Sequence, residues 1–242
     1  MCAVFLAVTE IASRHSFVLN LMYQLAEDVW MLPAVPPYAI NAYLLGDVLI
    51  DAGVRLSTNW LLWQLRGRKL ALHALTHAHP DHQGASHAIC QQRNIPLWCG
   101  TSDADALERA EVRELLPPLL GNRLLDWVVS GPPHPVARRL AEGDAVGTFT
   151  VIATPGHTPG HISFWRERDR VLIAGDVLRN MNSLTLLPEL GLPYDRFTCD
   201  QVQNCASVQK IAALRPKLVC FGHGPPLRDP ARLAAFAAQL PT

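Results

Sequence analysis

The chain has 242 residues, enough for one large core, and its 21 Lys and Arg balance its 21 Asp and Glu. That balance removes the overall field that draws a protein to nucleic acid or an anionic membrane, so the expected partner is a small-molecule substrate. Six cysteines without a CxxC pair exclude a dense disulfide scaffold, and no apolar run approaches the roughly 18 residues of a membrane-spanning helix.

Residues 1–8 are apolar but lack a basic flank, and Glu10 and Arg14 soon interrupt the run, which makes a poor secretory signal. The expectation is a cytoplasmic protein with reduced thiols, no nucleic-acid partner and no membrane partner. A homodimer is compatible with the sequence. Residues 1–21 show no clear strand or helix plan, whereas residues 22–30 read as a first strand. The expected organisation is an N-terminal extension over 1–21, with Met22 as a candidate start, and a single domain over 22–242.

Residues 38–53 predict a hairpin with Gly46 and Asp47 at its turn. Ser57 is placed to cap a helix over 58–66, whose Trp60, Leu61 and Leu65 fall at helical spacing. A buried strand over 70–76, a helix over 83–93 and a strand over 95–99 suggest a parallel unit. Residues 102–128 are helical in pattern but broken by Pro117 and Pro118, and 131–135 form a loop. Strands follow over 147–153, 161–165 and 171–174. The segment 177–198 carries Leu184, Leu186 and Leu187 but also Pro188, Gly191 and Pro193, and reads as an irregular lid. Asp200 caps a helix to about residue 214, 217–221 is a strand, and Asp229 followed by Pro230 opens a last helix.

The chemistry concentrates in Leu75-Thr-His-Ala-His-Pro-Asp-His-Gln-Gly84. His77, His79, Asp81 and His82 place four metal-ligand side chains within six residues, a crowding that a cation makes favourable. Further candidates are His157 in Thr154-Pro-Gly-His-Thr-Pro-Gly-His161, Asp176 in Ala174-Gly-Asp-Val177, and His223 in Phe221-Gly-His-Gly-Pro225. Each follows a strand-like run, and loops leaving one end of a sheet converge. His77 and His79 can face one side of an extended turn, while Asp81 and His82 follow Pro80 into a helix start. Two neighbouring ions suit that arrangement better than one. A structural zinc site would be richer in cysteine.

His161 leads a strand and reads as a core histidine or one supporting the ligands. Asp51 is either a turn residue or a buried acceptor orienting the first cluster. Gly156 and Gly160 read as turn glycines, and His73 and His87 as packing or surface residues. Asn182 and Tyr194, in the lid, are candidates for touching substrate.

In the His77-Ala-His-Pro-Asp-His82 run and the ordered His157, Asp176 and His223, the sequence resembles the metallo-β-lactamase fold superfamily. The likeness extends through Val48-Leu-Ile-Asp-Ala-Gly53 and Glu142-Gly-Asp144. It implies an α+β fold, a four-layer αβ/βα sandwich of two mixed sheets flanked by helices. It also implies two divalent ions: His77, His79 and His157 on one, Asp81, His82 and His223 on the other, and Asp176 bridging. Zinc is the default, and manganese, iron or cobalt suit the same ligands. The implied activity is metal-assisted hydrolysis of an ester, thioester, lactone or similar bond by a shared hydroxide, with Asp81 helping to protonate the leaving group.

Within that superfamily the glyoxalase II and lactonase branches are the nearest in pattern. The short stretch after His223 leaves no room for a glyoxalase II C-terminal helical region, and Arg179 occupies the position where lactonases carry a tyrosine. The alternatives are a mononuclear iron persulfide dioxygenase-like enzyme, a β-lactam hydrolase, which generally lacks the aspartate matching Asp176, and a non-catalytic metal-binding module.

Overall fold

A computed structural model describes residues 22–33, 36–109, 111–112 and 129–241. The proposed extension 1–21, and most of the Pro117-broken helical pattern, lie outside the described residues. Among the described residues twelve strands form two mixed sheets. The first runs β1 (Tyr23–Ala26), β2 (Val29–Leu32), β3 (Ala42–Leu45), β4 (Val48–Ile50), β5 (Leu72–Ala74), β6 (Leu97–Gly100), β7 (Val136–Leu140) in spatial order. The second runs β12 (Leu218–Phe221), β11 (Val171–Gly175), β10 (Ile162–Arg166), β9 (Phe149–Ala153), β8 (Ala145–Val146).

Period-two alternation divides the apolar side chains between layers. Val29, Met31, Tyr43, Leu45, Val48 and Ile50 point between the sheets, onto Phe149, Val151, Phe164 and Ile173. Their strand neighbours Leu32, Leu44 and Leu49 face outward, onto helices α1 (Thr58–Gln64), α3 (Ser86–Arg93) and α4 (Thr101–Arg109). Leu172, Ala174 and Val219 on the second sheet pack on Val208, Ile211 and Leu233 of α5 (Gln201–Ala213) and α6 (Pro230–Ala237). Three apolar layers between four structural ones make the αβ/βα sandwich. Each fully buried Leu, Ile, Val or Phe contributes about 1.5–3 kcal/mol.

Several elements differ from the sequence reading. Residues 22–30 form a hairpin rather than one strand, because Asp28 turns the chain at φ 55°, a conformation Asp tolerates. Ser57 makes no cap and sits in helical geometry; the Thr58 hydroxyl instead donates to the Arg55 carbonyl at 2.7 Å. The helix expected over 83–93 splits into a short α2 (Pro80–Gln83) and α3. Strands β7 and β8 were not foreseen: β7 reads Val-Ala-Arg-Arg-Leu, with its charges outward on a sheet edge. The caps at Asp200 and Asp229 form as expected, each carboxylate accepting from the N–H three residues on.

The sheets are joined where the candidate ligands lie. The Ile162 amide donates to the Thr76 carbonyl at 2.8 Å, and the Asn41 amide to the Gly222 carbonyl at 2.8 Å. Asn41 Nδ2 and the Tyr43 hydroxyl both donate to the Phe221 carbonyl. Among the described residues no helix is long and apolar enough to cross a membrane.

Candidate metal centre

Parallel pairing brings the ligands to one edge. β4 runs parallel to β5, and β11 to β12, while β9 shares the direction of β11 through antiparallel β10. Asp51 follows β4, His77 and His79 follow β5, His157 follows β9, Asp176 follows β11 and His223 follows β12. Pro80 at the first position of α2, after extended His79 at ψ 150°, redirects the chain. Asp81 thereby turns to the side of His223, whereas the His82 ring stays beside His77 with centroids 4.2 Å apart, so the separate direction expected of Asp81 and His82 is seen only in part.

The seven candidate side chains converge. The ring centroids of His77, His79 and His157 are 4.6, 4.8 and 4.5 Å apart. Ligand atoms lie within 4.8 Å of one another in three trios: His77, His79 and His157; His77, His82 and Asp176; Asp81, His82 and His223. Asp176 Oδ2 is central, 3.4 Å from His82 Nε2, 3.6 Å from His157 Nε2 and 3.0 Å from His223 Nε2. Asp81 Oδ2 lies 3.3 Å from His223 Nε2. Asp81 and His223 are partly exposed and the other five are buried, so the cluster opens to solvent on their side.

Hydrogen bonds assign the imidazole tautomers. Thr76 Oγ1 donates to Asp51 Oδ2 at 2.8 Å and therefore accepts from His77 Nδ1 at 3.0 Å. His82 Nδ1 donates directly to Asp51 Oδ2 at 3.0 Å. Thr198 Oγ1 donates to the Tyr194 carbonyl and so accepts from His157 Nδ1 at 3.3 Å. His223 Nδ1 donates to the Ala39 carbonyl. Each of these four rings is anchored through Nδ1 and turns its Nε2 inward.

Those inward atoms are where a cation fits. His77 Nε2, His82 Nε2, His157 Nε2 and Asp176 Oδ1 are buried without a hydrogen-bond partner. Leaving such atoms unpaired costs about 1–3 kcal/mol each, a cost that coordination removes. The electrostatics agree. Burial, reinforced by the rings of His82, His79 and His157, holds His77 well below the ordinary imidazole range, and burial with His79 does the same for His157. Burial opposes charge on His223 too, yet the carboxylates of Asp176 and Asp81 push it up to about 10. One half of the cluster supplies neutral ligands, while the other attracts positive charge.

His161 supports the cluster without facing it. Its Nε2 accepts the Asp176 backbone N–H at 3.0 Å, and its Nδ1 bonds Thr154 Oγ1 at 2.8 Å. Asp51, at a left-handed turn of φ 57°, takes Thr76 N on Oδ1 and both Thr76 Oγ1 and His82 Nδ1 on Oδ2, so it is both a turn residue and a buried acceptor. The sequence reading missed Thr76 and Thr198, whose hydroxyls fix two tautomers. It also missed Asp103 at the start of α4, which bonds Ala78 N, Thr158 Oγ1 and Gly160 N. Asp103 had one signal, its place just beyond strand β6.

The lid over 177–198 is irregular, as expected. Asn182 Oδ1 accepts from Leu184 N and Thr185 N, and its Nδ2 donates to Glu189. The Tyr194 hydroxyl accepts from Ser183 N, and its ring lies 4.6 and 5.2 Å from the guanidinium carbons of Arg179 and Arg196. The polar groups of Asn182 and Tyr194 are thus engaged within the lid rather than among the seven ligands. Leu184, Leu186 and Leu187 are exposed, whereas Leu192 packs on the core.

A family model described as Metallo-beta-lactamase superfamily matches residues 35–223. The probable metallo-hydrolase YflN of Bacillus subtilis (strain 168) is 31% identical over 203 residues, covering 74% of this chain and 76% of its own. A hydroxyacylglutathione hydrolase of Bdellovibrio bacteriovorus is 30% identical over 164 residues, covering 65% of this chain but only 51% of that enzyme. The crystal structure of TTHA1623 in a di-iron-bound form is 30% identical, with a TM-score of 0.65 over 83% of this chain and 94% of that one. The matched span takes in both sheets' ligand-bearing loops from Asp51 to His223, and on that ground the chain belongs to the metallo-beta-lactamase superfamily.

Proposed function

We propose that this protein is a binuclear metal-dependent hydrolase of a small molecule carrying an ester, thioester or lactone bond. The observation that supports it most is the position of Asp176 Oδ2, within 3.0–3.6 Å of rings from both halves of the ligand set. His77, His79 and His157 would hold one divalent ion and Asp81, His82 and His223 the other, with Asp176 within reach of both sets. Divalent ions at such a site lower the pKa of water towards about 7 and polarise a carbonyl oxygen. No Ser or Cys nucleophile is then needed.

The chain's own residues do the rest. Asp81 stands on the open side, and although burial opposes its ionisation, His82 and His223 hold its carboxylate well below the usual range. It is placed to accept a hydrogen bond from the attacking water and so to aim that water's proton at the leaving oxygen or sulfur. Asp51, Thr76 and Thr198 keep the rings oriented so that the ligand geometry persists through turnover. Zinc is the proposed ion because imidazole and carboxylate suit it, and iron is the second reading, favoured by the di-iron-bound relative.

The test is a hydrolysis screen across lactones, thioesters, esters, β-lactams and phosphodiesters, on protein whose metal content has been measured. Two ions per chain and turnover of carboxylic substrates are expected. One iron per chain, with oxygen uptake on a persulfide, would replace this reading by an oxygenase.

A further inference from the structure

The ligands His77, His79 and His157 come from different sheets, and something must hold the two loops at a fixed separation. The side chain that spans them is Asp103, fully buried at the start of α4. Its Oδ2 accepts the backbone N–H of Ala78, the residue between His77 and His79, at 2.9 Å. The same oxygen accepts the hydroxyl of Thr158, next to His157, at 2.7 Å, and Oδ1 accepts the Gly160 N–H at 2.7 Å. A Cβ on Gly160 would come within 2.5 Å of Asp103 Oδ1, so the loop can close on the carboxylate only with glycine there.

We infer that Asp103 is a positioning residue, a buried carboxylate that locks the His77 and His79 loop to the His157 loop and so sets the first ion's ligand geometry. The inference rests on reading these three histidines as metal ligands. The backbone N–H groups of Ala78 and Gly160 and the Thr158 hydroxyl, which donate to Asp103, carry no charge. A buried carboxylate so placed is best balanced by a cation nearby, and the adjacent histidine trio is where one would sit. Asp51 acts differently: it bonds the His82 ring directly and reaches His77 through the Thr76 hydroxyl, and its backbone bond, to Thr76 N, stays within the loop after β5.

Asparagine at position 103 keeps the volume but turns one acceptor oxygen into a donor, which would oppose either the Gly160 N–H or the Ala78 N–H. Asp103→Asn is therefore expected to weaken the tighter or looser ion held by His77, His79 and His157 by about 10–100-fold, with the Asp81, His82 and His223 ion changed far less. The experiment is chelator competition with zinc and with cobalt, whose absorption spectrum reports ligand geometry, on wild type, Asp103→Asn, Thr158→Val and Thr158→Ser. Thr158→Val keeps the carboxylate but removes one of its bonds, and should lose roughly tenfold at the same ion. Thr158→Ser restores the hydroxyl and should recover wild-type affinity.

A purely structural role would lower the melting temperature of metal-free protein without moving affinity or the cobalt spectrum. That result in Asp103→Asn would overturn the inference. If Asp103→Asn does not fold, equal affinities in Thr158→Val and Thr158→Ser overturn it instead. Wild-type protein that holds no ion would overturn the metal reading and this inference with it, whereas two ions bound equally well by wild type and the folded variants would overturn this inference alone.

Discussion

Asp51 Oδ2 lies 3.0 Å from His82 Nδ1, and the same oxygen accepts the Thr76 hydroxyl that in turn anchors His77. One carboxylate therefore orients a ring in each half of the cluster. Asp51→Asn must turn its amide nitrogen, which cannot accept, either against the Thr76 N–H on the other oxygen or against both the Thr76 hydroxyl and the His82 ring. Both ions are expected to bind about 10–100-fold more weakly. Chelator competition on the variant checks this, and unchanged affinity at either ion would count against the shared role of Asp51.

Loss of a ligand should exceed loss of a ligand's support. His157→Ala and Asp81→Ala are each expected to lower kcat by more than about 100-fold while leaving circular dichroism close to wild type. The two should separate in metal content. His157→Ala removes a buried ring from the trio with His77 and His79, whereas Asp81→Ala empties a position on the partly exposed side. Full-rate turnover by either variant contradicts the proposed mechanism.

The lid offers a contrast between stability and substrate. Leu184 is 89% exposed, and Leu187 is also exposed. Leu184→Ser and Leu187→Ser should change unfolding free energy by no more than about 0.5 kcal/mol. A rise in KM for substrates with long apolar portions, at unchanged kcat, would show that these side chains meet substrate. Equal KM across short and long acyl chains would remove them from recognition.

The candidate cluster was legible because most of its members follow an apolar strand and carry a residue type suited to binding a metal. His77, His79, His157, Asp176 and His223 all stand at such positions, and parallel pairing brings those ends together. Asp200 and Asp229 were equally legible, because a cap needs only its own carboxylate and the next turn. What escaped depends on distant partners. Thr198 matters through a histidine 41 positions away, and Asp103 through Gly160, 57 positions away. The Asp28 turn lacked the glycine or proline that marks most turns, and β7 went unread because two exposed arginines interrupt its apolar pattern.

His73 supplies a pH test of the fold that stands apart from the ligands. It is fully buried on β5, with Nδ1 donating to the Leu49 carbonyl at 3.0 Å and Nε2 bonded to Ser86 Oγ at 2.8 Å. Burial lowers its pKa from 6.5 to about 4. Below pH 6.5 the unfolded chain takes up a proton that the folded chain refuses until about 4, so stability is full above that window and falls with pH inside it. The slope from this residue is about 1.4 kcal/mol per pH unit. His73→Asn lacks the titrating ring, so the stability difference between wild type and variant should shrink as pH falls from 6.5 to 4. Urea denaturation of both proteins across that range measures it, and a constant difference would contradict the neutral buried ring.

Gly222 is the tightest constraint on the centre. A Cβ there would lie 1.9 Å from Asp176 Oδ1 and 2.6 Å from His82 Cε1, and neither neighbour is free to retreat. The Asp176 backbone is held by His161, and the His82 ring by Asp51. Gly222→Ala must therefore displace a ligand from each side, at an overpacking cost of about 1–3 kcal/mol. A suitable control is Gly46→Ala, where φ is +62° and nothing lies within 4 Å of the added Cβ. That variant is strained by about 1–3 kcal/mol but leaves the ligands alone. Both should melt below wild type, yet only Gly222→Ala should also lose metal. Parallel measurements of melting and metal content separate the two effects, and a Gly222→Ala protein that retains two ions would show that Asp176 and His82 do not need this close approach to coordinate.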